Sequence, residues 1–303
     1  MMRYIDQGKQ GENGVFRYVL TLSLIFVVYI IGSFGLFVDY NINVDGGTDS
    51  GQIMSQFTSD VGENRVLIWL MLPFILVFGA FLFAIKYIHK RNIKSIFTAR
   101  DSFDWRRVFI SFTLIVLVLS ITTFFEIFYS EAYVWNLDLS KFAVLVVIAL
   151  LMIPIQTTIE ELIFRGYLMQ GLKMKMGSSK HAVILSGIMF GVMHIGNPEI
   201  EAIGSHVLIY YVVSGIFLGA LALYDNGLEL SIGYHAANNI FAALLVSNDW
   251  QVFQTNALYV DTSPPNLSWF DLFISLLFFP VLFLIYKKIF KWSSLKETWN
   301  HQD

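Results

Sequence analysis

The sequence predicts an all-α, polytopic membrane bundle, and three observations carry that reading. Hydrophobic residues make up 56% of the 303 and charged residues only 14%, where a soluble domain carries nearer a quarter charged. Eight apolar runs are long enough to span or nearly span a hydrocarbon layer ~30 Å thick. The basic residues also segregate: 17 of the 20 Lys and Arg fall in the two tails and in alternate connections.

The runs lie at about 18–38, 65–88, 107–128, 141–172, 181–197, 205–224, 228–247 and 269–290. The first follows Arg3, Lys9 and Arg17, as a secretory signal would. It has no small-x-small cleavage site, so it reads as a first transmembrane helix. Residues 39–63, rich in Gly, Asp and Ser, read as a flexible extracytoplasmic loop. Within it N-I-N-V-D-G partly resembles a calcium loop whose first ligand would be Asn41. Position twelve would be Gln52 instead of Glu, and a solvated turn is the better reading. The second run leads into a connection with seven basic residues, from Lys86 to Arg107. The fourth run is the longest and contains Pro154, which removes a backbone hydrogen bond and favours a kink. The fifth and seventh are short enough to be partly re-entrant.

Basic residues collect on the cytoplasmic side of a membrane protein. The bias therefore predicts eight spans in a single membrane domain, 1–303, with both termini cytoplasmic, in the plasma membrane. Only Arg65 and Lys141 lie opposite, beside acidic connections. The net charge of -3 gives no basic bias toward nucleic acid. With no cysteine there are no disulfides, thiolate nucleophiles or Cys-ligated metals, and no prenylation of the chain itself.

Against this apolar background, Glu160, Glu161 and Arg165 fall within six positions of the fourth run. Each would cost about 2.5–3.5 kcal/mol facing lipid at a helix centre, so they must face protein or a wet cavity. Glu161 and Arg165 are spaced i, i+4 in the favourable order for an ion pair. Glu160 points about 100° away around the helix, which leaves one carboxylate free for chemistry. Phe190 and His194 share a face of the fifth run, where Gly187 and Gly191 permit close helix approach. Gly215 and Gly219 do the same on the sixth. On the seventh, His235 and Asn239 share a face, with Asn238 adjacent.

Glu, His, His and Asn without Ser or Cys point to an activated water. Glu160 would act as general base, His194 would orient the water, and His235 with Asn239 would donate to an oxyanion. Glu160, His194 and His235 are also zinc-ligand types, so metal-assisted hydrolysis stays open at this level. Two other classes compete. A proton-coupled transporter would also use intramembrane Glu and His, but no internal repeat is visible. A non-catalytic scaffold would keep the fold without turnover.

At these residues the chain resembles the CAAX protease and bacteriocin-processing family of intramembrane glutamate endopeptidases, also called the Abi family. The family pattern E-E-x-x-x-R, F-x-x-x-H, H-x-x-x-N reads here E-E-L-I-F-R at 160–165, F-G-V-M-H at 190–194 and H-A-A-N-N at 235–239. The resemblance covers a core of about 141–247. It implies an eight-helix fold in which Glu160 and His194 activate water without a metal or other cofactor. His235 and Asn239 would bind the oxyanion, and Glu161, Arg165, Phe190 and Asn238 would support. The implied partner is a membrane-anchored or lipidated peptide within the bilayer. Eukaryotic members remove the last three residues of prenylated CAAX proteins, and some bacterial relatives are linked to bacteriocin maturation or immunity.

Overall fold

The computed structural model describes residues 2–44 and 50–292. The chain is an all-α membrane bundle with a small three-stranded sheet at one end. A 3₁₀ turn, Tyr4–Lys9, precedes α1 (Val15–Asn43), α2 (Ser50–Val61) and α3 (Glu63–Phe83). A π-helical turn, Ala84–Ile88, extends α3 before α4 (Lys94–Phe97) and α5 (Trp105–Tyr129). The long α6 (Leu139–Glu161) runs through a second π-helical stretch, Leu162–Leu168, into α7 (Met169–Met176). Then follow α8 (Ser179–Val192), α9 (Pro198–Ile203), α10 (Val207–Asp225), α11 (Glu229–Leu245) and α12 (Trp269–Phe290). Strands β1 (Tyr133–Trp135), β2 (Val246–Ser247) and β3 (Tyr259–Asp261) order as β1-β3-β2. β3 is antiparallel to β1 and parallel to β2.

Among the described residues six helices are long and apolar enough to cross a membrane. The expected fifth and seventh spans correspond to α8 and α11, of 14 and 17 residues. At 1.5 Å per residue these reach only about 21 and 25 Å, short of a ~30 Å layer. Six of the eight expected runs thus coincide with helices of full spanning length, and α8 and α11 stand at the two runs expected to be short and partly re-entrant. The stretch expected as a flexible loop at 39–63 is largely helical where the structure describes it. α1 continues to Asn43 and α2 occupies Ser50–Val61. Asn41, the first ligand of the calcium-like loop, is helical, with its amide bonded to the Phe37 carbonyl. Residues 45–49 of that motif lie outside the described residues.

Local sequence chemistry sets the helix ends. Asp138 caps α6 by accepting from the Ser140 and Lys141 amides, and Ser268 with Asp271 forms a capping box on α12. Gly177 ends α7 in the left-handed region, at φ 76°, where a side chain would be strained. Pro154 lies inside an unbroken α6. The ladder changes only at Leu162–Leu168, a widening of a kind that recurs at functional sites.

Two packing features position the site. α8 and α10 cross where Gly187 meets Gly215: a Cβ on Gly215 would lie 2.9 Å from the Gly187 Cα. A Cβ on Gly191 would likewise lie 2.9 Å from the Val212 amide nitrogen, so these glycines allow the close helix approach expected of them. α11 packs between α5 and α6. The basic end is tied by the N-terminal turn, where the Tyr4 hydroxyl donates to the Ile96 carbonyl at 2.7 Å and its amide to Asn226 at 3.0 Å. Outward faces are apolar, with Phe26 and Phe34 on α1, Leu150 and Leu151 on α6, and Phe273 and Leu284 on α12 all exposed. So much exposed apolar surface suits lipid, not water.

Candidate active site

Four helices supply the polar constellation. The end of α6 carries Glu160 and Glu161, and the π-helical stretch carries Arg165. His194 stands two residues beyond α8, and His235, Asn238 and Asn239 lie on α11. α10 contributes Tyr211 and the Gly215 carbonyl.

Glu161 and Arg165 form the expected ion pair, Nη1 to Oε1 2.8 Å, with neither side chain exposed. Arg165 also donates from Nη2 to the Gly215 carbonyl at 3.2 Å, and its guanidinium lies over the Phe190 ring at 4.3 Å. These contacts tie the α6–α7 segment to α8 and α10. Glu161 has a second task that spacing alone did not reveal. Its Oε1 accepts the His235 Nδ1 proton at 2.8 Å. That bond fixes the ring, because a neutral imidazole donating from Nδ1 presents a lone pair at Nε2. His235 Nε2 faces Glu160 Oε2 at 3.6 Å.

His194 is held by two neighbours, Phe190 and Tyr211. Nδ1 donates to the Phe190 carbonyl at 2.8 Å, so Nε2 is left as an acceptor. One face of the ring stacks on Tyr211, centroids 4.2 Å apart and planes at 22°, and Phe190 packs at 4.6 Å. Phe190 also meets His235 edge-on at 6.0 Å, so this aromatic ring separates the two histidines and supports the arginine as well. The structure thus gathers every residue that the three motifs single out. Glu160, His194, Asn238 and Asn239 remain partly exposed, while Glu161, Arg165 and His235 are buried.

Three residues of the site escaped the sequence reading. Gln156 bonds to both Glu160 and Asn239. Its i, i+4 spacing from Glu160 in an otherwise apolar run was a usable signal. Glu199, read only as part of an acidic connection, is buried and accepts from Asn197 and from the Tyr211 hydroxyl. Tyr211 carried no signal, since an aromatic residue in a membrane helix is ordinary. Among the described residues no three His, Asp or Glu side chains are grouped to hold an ion.

The buried Glu–Arg–His lock and the half-open Glu, His and Asn cluster beside it both lie within the segment that the comparisons match. Residues 140–241 match the family model described as Rce1-like, type II CAAX prenyl endopeptidase. That segment carries an Rce1-like domain, consistent with the CAAX protease and bacteriocin-processing family. Across 294 residues the chain is 26% identical to the uncharacterized protein YyaK of Bacillus subtilis (strain 168), covering 92% of this chain and 95% of that protein. No solved structure matches. The Rce1-like domain in a multi-pass apolar bundle supports a CAAX-protease-like hydrolase in a lipid bilayer with a peptide substrate.

Proposed function

We propose that the protein is an intramembrane endopeptidase that hydrolyses a peptide bond of a membrane-anchored or lipidated peptide with a water activated by Glu160. One observation carries the reading. Glu160, joined through Gln156 to Asn239 and facing His235, forms a partly open polar site inside the Rce1-like segment. In this reading Glu160 takes a proton from water, and His194 Nε2 accepts the water's other hydrogen to aim the lone pair. Oxygen attacks the scissile carbonyl carbon, and the carbonyl π electrons move to oxygen. The oxyanion receives the spare N–H of Asn239 and, when the ring is an imidazolium, the Nε2–H of His235. Glu160 then returns its proton to the leaving amine as the C–N bond breaks. No step requires a metal.

The basic end, with the N-terminal turn and the 89–107 connection, is assigned to the cytoplasm on the Lys and Arg bias. A membrane-impermeant reagent should therefore leave a tag in 89–105 unlabelled in intact cells, and labelling there overturns the orientation.

The activity test uses protein reconstituted in liposomes with a farnesylated CAAX peptide, products being read by mass spectrometry. Wild type should release the terminal tripeptide and Glu160→Ala should not. Equal cleavage by both would exclude Glu160 as the base. No cleavage of this peptide or of a broad membrane-peptide library would favour a scaffold or transport role.

A further inference from the structure

We infer that Gln156 is a positioning residue that ties the proposed base to the proposed oxyanion donor, an inference that rests on the peptidase reading of Glu160 and Asn239. Gln156 lies one turn before Glu160 on α6 and is 5% exposed. Burying an amide is costly unless both of its ends are bonded. Here the two ends bond to site residues from different helices. Nε2 donates to Glu160 Oε1 at 2.5 Å, and Oε1 accepts from Asn239 Nδ2 at 3.2 Å. Asn239 Oδ1 in turn accepts from Asn238 Nδ2 at 3.2 Å.

The direction of this chain follows from chemistry. An ionised carboxylate only accepts, so the Gln156 amide must turn its nitrogen toward Glu160. Its oxygen then faces Asn239, which must present nitrogen to it. One charged group thus sets the orientation of two amides whose oxygen and nitrogen ends are otherwise hard to tell apart. Each amide nitrogen carries two hydrogens, so Asn239 keeps one free for an oxyanion. Glu160 keeps Oε2 free, on the side of His235. Gln156 therefore selects which carboxylate oxygen is available and where the asparagine donor points, without touching substrate. An apolar side chain of the same length would fill the space and lose both ties.

The test compares Gln156→Leu and Gln156→Met with wild type, each at matched folded protein judged by thermal unfolding in detergent. Against the farnesylated CAAX peptide, kcat should fall about 10–100-fold, because misplacing groups by an ångström costs on that order. KM should stay within about twofold, since no substrate contact is lost. Adding Gln156→Leu to Asn239→Ala should cost less than it does alone, as expected for residues acting as one unit. A second readout needs no turnover. A hydrophobic carbodiimide should modify Glu160 severalfold faster in either variant, because the oxygen that Gln156 holds is freed, while Glu161, locked by Arg165 and His235, should label equally in all. Glu160→Gln marks the background.

Unchanged Glu160 labelling in both variants overturns the inference whether or not the wild type cleaves the peptide. Faster labelling with kcat unchanged also overturns it, reducing Gln156 to packing. Faster labelling with an inert wild type overturns the peptidase reading instead, and with it the catalytic part of this inference.

Discussion

Two polar regions of this bundle use the same residue types to opposite ends. At the basic end, Asp225 and Glu229 are buried beside Arg100 and Arg107. Every carboxylate oxygen there has a partner. Asp225 takes Arg100 at 3.0 Å, Arg107, and the Trp292 indole at 3.1 Å. Glu229 takes Arg100 at 2.9 Å and the Asp104 amide at 3.3 Å. In the α6–α8–α11 site, Glu161 is held by Arg165 and His235 through one oxygen, Oε1, while its Oε2 is fully buried without a hydrogen-bond partner. Its neighbour Glu160 is partly exposed and pairs with no arginine among the described residues. Its Oε1 is held by Gln156, but Oε2 only faces His235 at 3.6 Å, beyond a hydrogen bond. The lesson is that burial against an arginine separates structure from chemistry. A carboxylate enclosed with its cation holds helices together, whereas one that is partly exposed, with an oxygen toward an open site, can take a proton.

That contrast can be broken most severely at the two adjacent glutamates. Glu160→Ala should reduce cleavage about 10²–10⁴-fold, the usual contribution of a positioned base, while thermal stability stays near wild type. Peptide cleavage and detergent unfolding are measured on the same sample, and a large loss of stability with little loss of rate would reverse the assignment of the pair.

Asn239→Ala should cost about 10²–10³ in kcat, as for a single oxyanion donor. A rate within twofold of wild type would remove Asn239 from the mechanism.

Arg165→Ala should destabilise by about 3–5 kcal/mol, because it strands Glu161 in a fully buried site. Arg100→Ala, nearer the surface, should cost less, since Arg107 still pairs with Asp225. Equal melting shifts in the two variants would erase the distinction drawn here.

The smallest effect is expected at His89, at the basic end. Its Nδ1 lies 2.9 Å from the Glu12 carbonyl and its Nε2 lies 2.8 Å from the Tyr167 hydroxyl. Burial, reinforced by the charges of Arg91 and Arg17, pushes its pKa down to about 4. Between the ordinary 6.5 and about 4 the unfolded chain therefore binds a proton that the folded chain refuses. Stability should fall as pH drops through that window and level off below it, by at most about 3 kcal/mol. His89→Gln should flatten the slope of unfolding temperature against pH between 6.5 and 4, and an unchanged slope would assign it to other groups.

Much of this molecule was legible without a structure, for reasons that concern local and bilayer physics. Hydropathy alone gave the membrane bundle, because a nonpolar solvent forces backbone groups into helices. The Glu161–Arg165 pair followed from helical spacing, and close packing on α8 and α10 from glycines four residues apart, though not that the two helices meet each other. The three motifs brought Glu160, His194, His235 and Asn239 into one proposal before any distance was known. What the sequence could not decide were outcomes of packing between distant segments. Apolarity reads alike in a full span and in a short buried helix, so the runs of α8 and α11 were legible as apolar while their place in the bundle was not. α2 has mixed Gly, Ser and Asp composition and reads as loop, although its Phe57 is buried in an apolar cluster with Val44 and Val66. The second bond of Glu161, to a histidine 74 residues away, depends on how α6 and α11 meet. So does the bridge through Gln156 to Asn239. Helical period and hydropathy act within one segment and are written in the chain. The choice of partner for a buried polar atom depends on which helix arrives beside it, and only the tertiary structure decides that.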